Sequence, residues 1–154
     1  MAKKIVAKNR KALHDYLILD RYEAGMSLKG SEIKSIRNGQ ISIKEAYVQV
    51  LEGEVFLINA HIAPYNPAST LNHEPTRRRK LLLHRREIEK IYEAVRQKGL
   101  TVVPLQVYLV GGLAKIEIAI ARGKRKYDKR RAIAKRDAER EMARELSRSQ
   151  RGGS

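Results

Sequence analysis

The 154-residue sequence contains no cysteine and no tryptophan, and it has a single phenylalanine. The absence of cysteine excludes disulfides, thiolate nucleophiles and cysteine-based zinc sites. No stretch approaches the roughly 20 consecutive apolar residues that a membrane-spanning helix needs. The basic start of the chain is followed by neither an apolar run nor a cleavage site, so we expect no secretory signal. These absences predict a soluble cytoplasmic protein.

Motifs of catalysis are also lacking. The four histidines, His14, His61, His73 and His84, are scattered, and no two of them have the helical spacing of metal ligands. There is no G-x-S-x-G turn to carry a nucleophilic serine. Gly123-Lys124 lacks the rest of a phosphate-binding loop, because the preceding glycine is missing and Arg125 stands where Ser or Thr is required. We therefore expect no catalytic residues, no metal and no other cofactor.

Positive charge is what the sequence has in excess. Lys and Arg number 33 against 17 Asp and Glu, which gives a net charge of +16. The excess lies in three segments: 1–11 has five basic residues and 76–86 has six, both without acids, while 122–154 has 13 basic and five acidic residues. Blocks of one sign indicate a polyanionic partner, although solvated basic faces would give the same pattern. Tyr127 is the only aromatic residue in the three segments, so membrane anchors are missing and nucleic acid is favoured.

The residues between these segments predict a mainly β fold with some helix. β-Forming residues predict a strand over 15–24 that Gly25 interrupts, and helical spacing predicts a helix over 27–37 with Ser27 as its N-cap. Hairpins are predicted over 47–60, turning at Gly53, and over 100–120, turning at Gly111-Gly112, with Pro104 at an edge or a bulge. A proline-rich loop covers 63–76, and an amphipathic helix covers 85–98 before Gly99. Hairpins imply antiparallel pairing, so we expect a small closed or partly closed barrel.

The C-terminal tail differs from the barrel in kind. From about residue 130 it is built of good helix formers, with one row of arginines and one row of acids at i+4 spacing. The arginine row is Arg136, Arg140, Arg144 and Arg148. Its apolar stripe is half alanine, too thin to hold the helix on the barrel. We expect a tail that is disordered when free and helical when bound, because a partner must offset the entropy of ordering it.

The segment 123–131 joins the barrel to this tail. It places Tyr127 inside a dense run of Lys and Arg. A tyrosine can stack on an unpaired base while the cations neutralise phosphates. Asp128 could orient an arginine or cap the tail helix. A generic basic linker is the alternative interpretation of this run.

Several short blocks of the sequence together resemble the SsrA-binding protein family, the small protein B of trans-translation. The blocks are Asn9-Arg10-Lys11-Ala12, His14-Asp15-Tyr16, Glu23-Ala24-Gly25, Gly30-Ser31-Glu32-Ile33-Lys34-Ser35, Arg79-Lys80-Leu81-Leu82-Leu83-His84, and Gly123-Lys124 with Asp128-Lys129-Arg130. They occur in the family's order and cover essentially the whole chain. The resemblance implies an OB-type barrel with flanking helices and a basic tail. It also implies two partners, transfer-messenger RNA and the small-subunit RNA of a stalled ribosome.

The resemblance also assigns roles to residues. Asn9, Glu23 and Leu82 match positions that contact the tRNA-like part of transfer-messenger RNA, and Arg10, Lys11, Arg79 and Lys80 belong to the same RNA-binding set. Lys124, Tyr127, Asp128, Lys129 and Arg130 match the motif that engages the decoding centre, and Arg136, Arg140 and Arg144 would line the mRNA path. Family members often carry His where Tyr127 stands, and both side chains stack. The role of His14, structural or RNA-contacting, stays open.

These expectations divide the chain into an RNA-binding barrel with a basic N-terminal arm, residues 1–121, and a basic tail, residues 122–154. The protein would bind transfer-messenger RNA as a monomer and deliver it to stalled ribosomes. The alternative is an OB-type, ribosome-associated RNA chaperone or ribosomal protein whose tail penetrates ribosomal RNA. A third possibility, an RNA-modifying enzyme, would need a metal-ligand cluster or an acid–base pair, and the sequence offers neither.

Overall fold

The computed structural model describes residues 3–65 and 72–124, and in that part of the chain strands predominate. In chain order the elements are β1 (Lys3–Lys8), α1 (Arg10–Asp15), β2 (Tyr16–Met26), α2 (Gly30–Arg37), β3 (Ile41–Ser42), β4 (Tyr47–Leu51), β5 (Glu54–Ile58), β6 (His61–Ile62), β7 (Arg79–Leu82), α3 (Arg85–Val95), β8 (Leu100–Val110) and β9 (Leu113–Gly123). The chain divides into two units, residues 1–122 and 123–154. The helix expected in the tail lies outside the described residues, as does the middle of the predicted loop over 63–76.

Seven of the described strands form one sheet in the order β1-β8-β9-β2-β7-β5-β4, and β3 pairs with β6 separately. The pairings β1–β8, β8–β9, β2–β7, β7–β5 and β5–β4 are antiparallel. At the far end of the order, β4 comes close to β8. The sheet therefore curls into a partly closed barrel, which confirms the expected OB-like, mainly β fold.

Both predicted hairpins form, because each has a turn that matches the twist of its strands. Glu52 and Gly53 have positive φ angles of 49° and 76°, and Gly111 and Gly112 have 55° and 83°. These left-handed conformations suit a two-residue hairpin turn, and glycine adopts them without strain. The second turn fixes a register in which Tyr108 lies opposite Lys115.

The core lies between the barrel wall and two helices. Alternating residues of the strands face inward, including Val55 and Leu57 of β5 and Ile116 and Ile118 of β9. Ile36 of α2 and Ile91 of α3 cover them, and both are fully buried. A smaller cluster lies under α1, where Ala12 packs on residues of β8 and β9. The barrel thus presents the outward faces of its strands for binding.

A bulge in β8 joins the N-terminal segment to the barrel. The register of β8 against β9 shifts between Pro104 and Gln106. Pro104 lies beyond Gln106, the last residue of β8 that pairs with β1, so it sits at a bulge where β8 is paired with β9 only. The carbonyl oxygens of Pro104 and Leu105 accept from Asn9, from its side-chain amide at 3.0 Å and its backbone N–H at 2.7 Å. Asn9 also caps α1 by accepting from the Ala12 N–H at 3.1 Å.

The structure corrects several boundaries. The basic N-terminal segment is not an arm: it forms β1 and α1, because pairing with β8 outweighs its polar composition. Gly25 does not interrupt β2, since it pairs with Leu82 of β7. Ser27 does not cap α2, which begins at Gly30 after Lys29. The helix predicted over 85–98 ends at Val95.

Candidate nucleic-acid interface

Glu23 and Leu82 meet on the outer face of the barrel because β2 and β7 are neighbours. Gly25 lies opposite Leu82, and Glu23 lies on the same face of β2 two residues earlier, while Ala24 and Met26 point into the core. Leu82 is the last residue of β7 and is 53% exposed, so its apolar side chain is open to solvent. A groove of about 340 Å³ opens beside these two side chains. Its lining residues are Glu23, Gly25, Leu82, Leu83, His84, Glu87 and Lys115.

Two side chains, one from β8 and one from β9, donate hydrogen bonds to the Glu23 carboxylate. The Tyr108 hydroxyl donates a hydrogen bond to Oε2, and the Lys115 Nζ donates to Oε1 at 2.9 Å. The hydrogen bond from Tyr108, and next that from Lys115, lowers the pKa of Glu23 below its ordinary value. Burial, and next the hydrogen bond to Glu23, raises the pKa of Tyr108. Lys3 Nζ lies 3.9 Å from the centre of the Tyr108 ring and adds a further positive charge.

Arg79 is placed where RNA cannot reach it, which corrects its assignment as an RNA contact. Its side chain is fully buried and donates to Glu32 Oε2 at 2.6 Å and to the Ala60 carbonyl at 2.6 Å. It also donates to the carbonyls of Glu74 and Pro75. A guanidinium committed in this way positions the 74–75 segment and has no surface to offer a ligand.

Glu32 is the buried anion at the centre of this network. It accepts from Arg79, from Arg77 at 2.6 Å and from the backbone N–H of Lys29 at 2.8 Å. Burial alone would raise the pKa of Glu32, but these hydrogen bonds from Arg77, Lys29 and Arg79 outweigh burial and lower it. His73 is buried beside the network and bridges the Ser31 hydroxyl and the Ile62 carbonyl, both at 2.8 Å.

Other cations of the 76–86 segment remain exposed. The Arg78 guanidinium lies 4.4 Å from the centre of the Phe56 ring. Lys80 projects from β7 and pairs with Glu54 at 2.9 Å, and both side chains are about half exposed. Arg85 and Arg86 are exposed at the start of α3. These side chains are available to phosphates, unlike Arg77 and Arg79.

Arg10 and Lys11 are exposed on α1, at the opposite end of β2 from Glu23. Glu23 lies seven positions after Tyr16 along the strand, which at about 3.3 Å per residue is roughly 23 Å. Lys11 lines a second groove, of about 360 Å³, together with Asn9, Tyr16, Lys44 and Tyr47 among others. The structure therefore does not bring the predicted RNA contacts together at a single groove. His14 is exposed and lies 3.0 Å from Asp15.

Asn9 is buried and its polar atoms bind the β8 bulge and α1, so its side chain supports Arg10 and Lys11 from below. Lys124 is exposed. The other predicted tail residues, Tyr127, Asp128, Lys129, Arg130, Arg136, Arg140 and Arg144, lie outside the described residues, and their roles stay predictions.

Tyr108 and Lys115 were missed by reasoning from sequence, although one signal for them was present. The Gly111-Gly112 turn sets the hairpin register, and that register places Tyr108 opposite Lys115. What the sequence does not contain is that β2 lies on the far side of β9 and brings Glu23 next to both.

Among residues 3–65 and 72–124, no group of three or more His, Cys, Asp or Glu side chains is arranged to hold a metal ion. Within the same ranges, no helix has the length and apolar content needed to cross a membrane.

The chain is similar to members of one protein family along most of its length. The family model described as "SmpB protein" matches residues 6–148. An SsrA-binding protein of Sulfurihydrogenibium sp. (strain YO3AOP1) is 54% identical over 142 residues, which are 92% of this chain and 93% of the relative. An SsrA-binding protein of Persephonella marina (strain DSM 14350 / EX-H1) is 53% identical over 152 residues, 99% of this chain and 97% of the relative.

A solved structure is similar in fold as well. It is described as "tmRNA-SmpB: a journey to the center of the bacterial ribosome", and its matching chain is 47% identical with a TM-score of 0.64. The match covers 76% of this chain and 82% of the other.

Proposed function

The chain belongs to the SmpB protein family, and from this we infer that it binds transfer-messenger RNA and delivers it to stalled ribosomes in trans-translation. The observation that carries the inference on this chain's own surface is the Glu23–Leu82 groove. It places an exposed leucine beside an ionised carboxylate on a protein of net charge +16. That combination is suited to an RNA with unpaired bases.

The groove and the cations have different tasks in this proposal. Leu82 packs on the face of an exposed base, and Glu23 accepts from donors at its edge. Exposed cations, among them Arg10, Lys11 and Lys80, neutralise phosphates around the groove and along the barrel. No bond is made or broken in these steps, so we propose an RNA-binding protein and not an enzyme.

The two parts of the chain would serve two RNAs. We propose that residues 1–121 hold transfer-messenger RNA as a monomer in the cytoplasm. The tail, residues 122–154, would engage the decoding centre through Lys124, Tyr127, Asp128, Lys129 and Arg130. It would then fold as a helix in the empty mRNA path, with Arg136, Arg140 and Arg144 facing ribosomal RNA.

Truncation after Arg130 tests this division of labour. We expect the truncated chain to bind transfer-messenger RNA with the affinity of the full chain in a gel-shift titration. It should fail to support alanine addition on ribosomes stalled on a message without a stop codon. Loss of RNA binding on truncation would show that the tail belongs to the RNA-capture surface. Binding of ribosomes without any preference for transfer-messenger RNA would favour an RNA chaperone or ribosomal protein.

A further inference from the structure

The two oxygens of the Glu23 carboxylate are each held by a different donor. Oε2 accepts from the Tyr108 hydroxyl and Oε1 from Lys115 Nζ, so the plane of the carboxylate is fixed from the side of β8 and β9. A glutamate on a strand surface otherwise rotates freely about its side-chain bonds, and ordering it on binding costs free energy. The Glu23 side chain is still 51% exposed, so each oxygen keeps acceptor capacity for a ligand.

Tyr108 is a rigid donor because the barrel encloses its ring. Only 1% of the residue is exposed, since β8 lies between β1 and β9, with Ile5 opposite Tyr108 on one side and Lys115 on the other. Lys3 covers the ring from the third direction. The hydroxyl is thereby fixed beside Glu23, and its one hydrogen is committed to that carboxylate.

The charge of Glu23 determines what it can bind. An ionised carboxylate has no hydrogen to donate, and it repels phosphate. Donors that an RNA can bring to it are the N–H groups of a base edge, which are accessible where the base is unpaired. Leu82 lies beside it with exposed apolar surface for the face of the same base.

We propose that Tyr108 and Lys115 are positioning residues for RNA recognition: they fix the Glu23 carboxylate beside Leu82 so that its free acceptor sites face the N–H edge of an unpaired base. This inference rests on the proposed function. Lys115 acts here through Glu23 and not as a phosphate contact, and that distinction gives the proposal a sharp test.

The test measures the affinity of the full chain for transfer-messenger RNA at several salt concentrations. Tyr108→Phe keeps the ring and removes only the donor, and Lys115→Met keeps most of the side-chain volume and removes the charge. Each should weaken binding about fivefold, the usual effect of one lost hydrogen bond. In a Glu23→Ala background the same two substitutions should change the affinity less than about twofold, because nothing is left to position.

The salt dependence of the RNA affinity distinguishes a positioning role of Lys115 from a direct contact with phosphate. Removing a phosphate contact lowers the slope of log affinity against log salt by about 0.9 to 0.7. We expect Lys115→Met to leave the slope unchanged, and a drop of that size would make Lys115 a phosphate contact and overturn the proposal. Lys98→Met and Tyr92→Phe, exposed and away from the groove, are the matched controls and should bind like the unaltered chain.

A second measurement, in the free protein, does not depend on RNA. The carboxyl carbon signal of Glu23 is followed by NMR during an acid titration, with Tyr108→Phe as the comparison. The titratable groups around Glu23 and Tyr108 are Lys3, His84, Glu87, Lys115 and Glu117. Loss of the Tyr108 hydrogen bond should raise the pKa of Glu23, while the carboxylate stays charged at neutral pH, since an ordinary glutamate titrates near 4.3.

The possible failures are distinguishable. If the unaltered chain does not bind transfer-messenger RNA, the proposed function is wrong. If it binds but Glu23→Ala binds equally well, or if the Tyr108 and Glu23 effects simply add, the positioning proposal is wrong and the proposed function stands. An unchanged Glu23 titration in Tyr108→Phe would also overturn the positioning proposal.

Discussion

Glu32 and Glu23 each accept hydrogen bonds from several donors that include a cation, and both have a lowered pKa. They differ in burial: Glu32 is fully buried, while half of the Glu23 side chain is exposed. The three hydrogen bonds that Glu32 accepts come from inside the protein, from Arg79, Arg77 and Lys29, and its burial leaves no surface for a ligand. The exposed Glu23 carboxylate can still accept further hydrogen bonds. Exposure, and not the ion pair itself, separates a glutamate that can only stabilise the fold from one that is open to a ligand.

The largest expected effect is on stability, and it separates the two glutamates directly. Glu32→Ala should reduce the free energy of unfolding by about 3–5 kcal/mol, because it leaves the Arg79 guanidinium buried without a counter-ion. Glu23→Ala should reduce it by about 1–2 kcal/mol, since its pair with Lys115 is partly exposed and the enclosed Tyr108 hydroxyl loses one hydrogen bond. Urea unfolding of the two variants measures both quantities.

Glu54→Ala is the control for these variants, because Glu54 pairs with Lys80 at the surface and its loss should cost at most about 1 kcal/mol. Equal destabilisation by the Glu32 and Glu23 substitutions would contradict the distinction drawn between them.

A smaller effect is expected in acid. The folded-state pKa of Glu32 lies below its unfolded value, so its contribution to stability is complete above about pH 4.3 and is lost as the pH falls toward the folded pKa. Glu32→Gln cannot titrate, so its stability should fall less steeply below pH 4.3 than that of the unaltered chain. Unfolding by urea at a series of pH values measures the two slopes, and parallel curves would show that Glu32 has no such role.

The smallest effect concerns the neighbour of Glu23. A Cβ added at Gly25 would lie 3.3 Å from Leu82 Cβ, so Leu82 must move by a few tenths of an ångström. Gly25→Ala should therefore weaken RNA binding by about twofold, with a stability change within about 1 kcal/mol. Gly30→Ala is the control, because nothing lies within 4 Å of the added carbon. Equal RNA affinities of the two variants would show that RNA binding does not depend on the exact position of the Leu82 side chain.

The elements that could be predicted from the sequence are those that neighbouring residues determine. The two hairpins were found because Gly53 and Gly111-Gly112 supply the turns and alternating apolar residues supply the strands. The barrel followed from the hairpins. β1 was missed because only Ile5, Val6 and Ala7 interrupt its lysines, and its strand conformation depends on β8, about a hundred residues later.

The candidate site was predicted less well, for a physical reason. Glu23 and Leu82 were identified by resemblance, and the pairing of β2 with β7 brings them together. Arg79 was misassigned because an arginine in a basic block is usually exposed, and its buried partner Glu32 lies 47 residues away in the sequence. Burial of a charged residue depends on such distant partners, which composition does not reveal.

The bulge at Pro104 has a consequence for how mutational data on this surface should be interpreted. It turns two carbonyl groups of an inner strand toward the start of α1, and Asn9 satisfies both of them while it begins that helix. Removing the Asn9 side chain would loosen the platform on which Arg10 and Lys11 stand. A defect in RNA binding caused by Asn9→Ala would therefore measure the anchoring of a helix, and it could occur without any atom of Asn9 ever touching RNA.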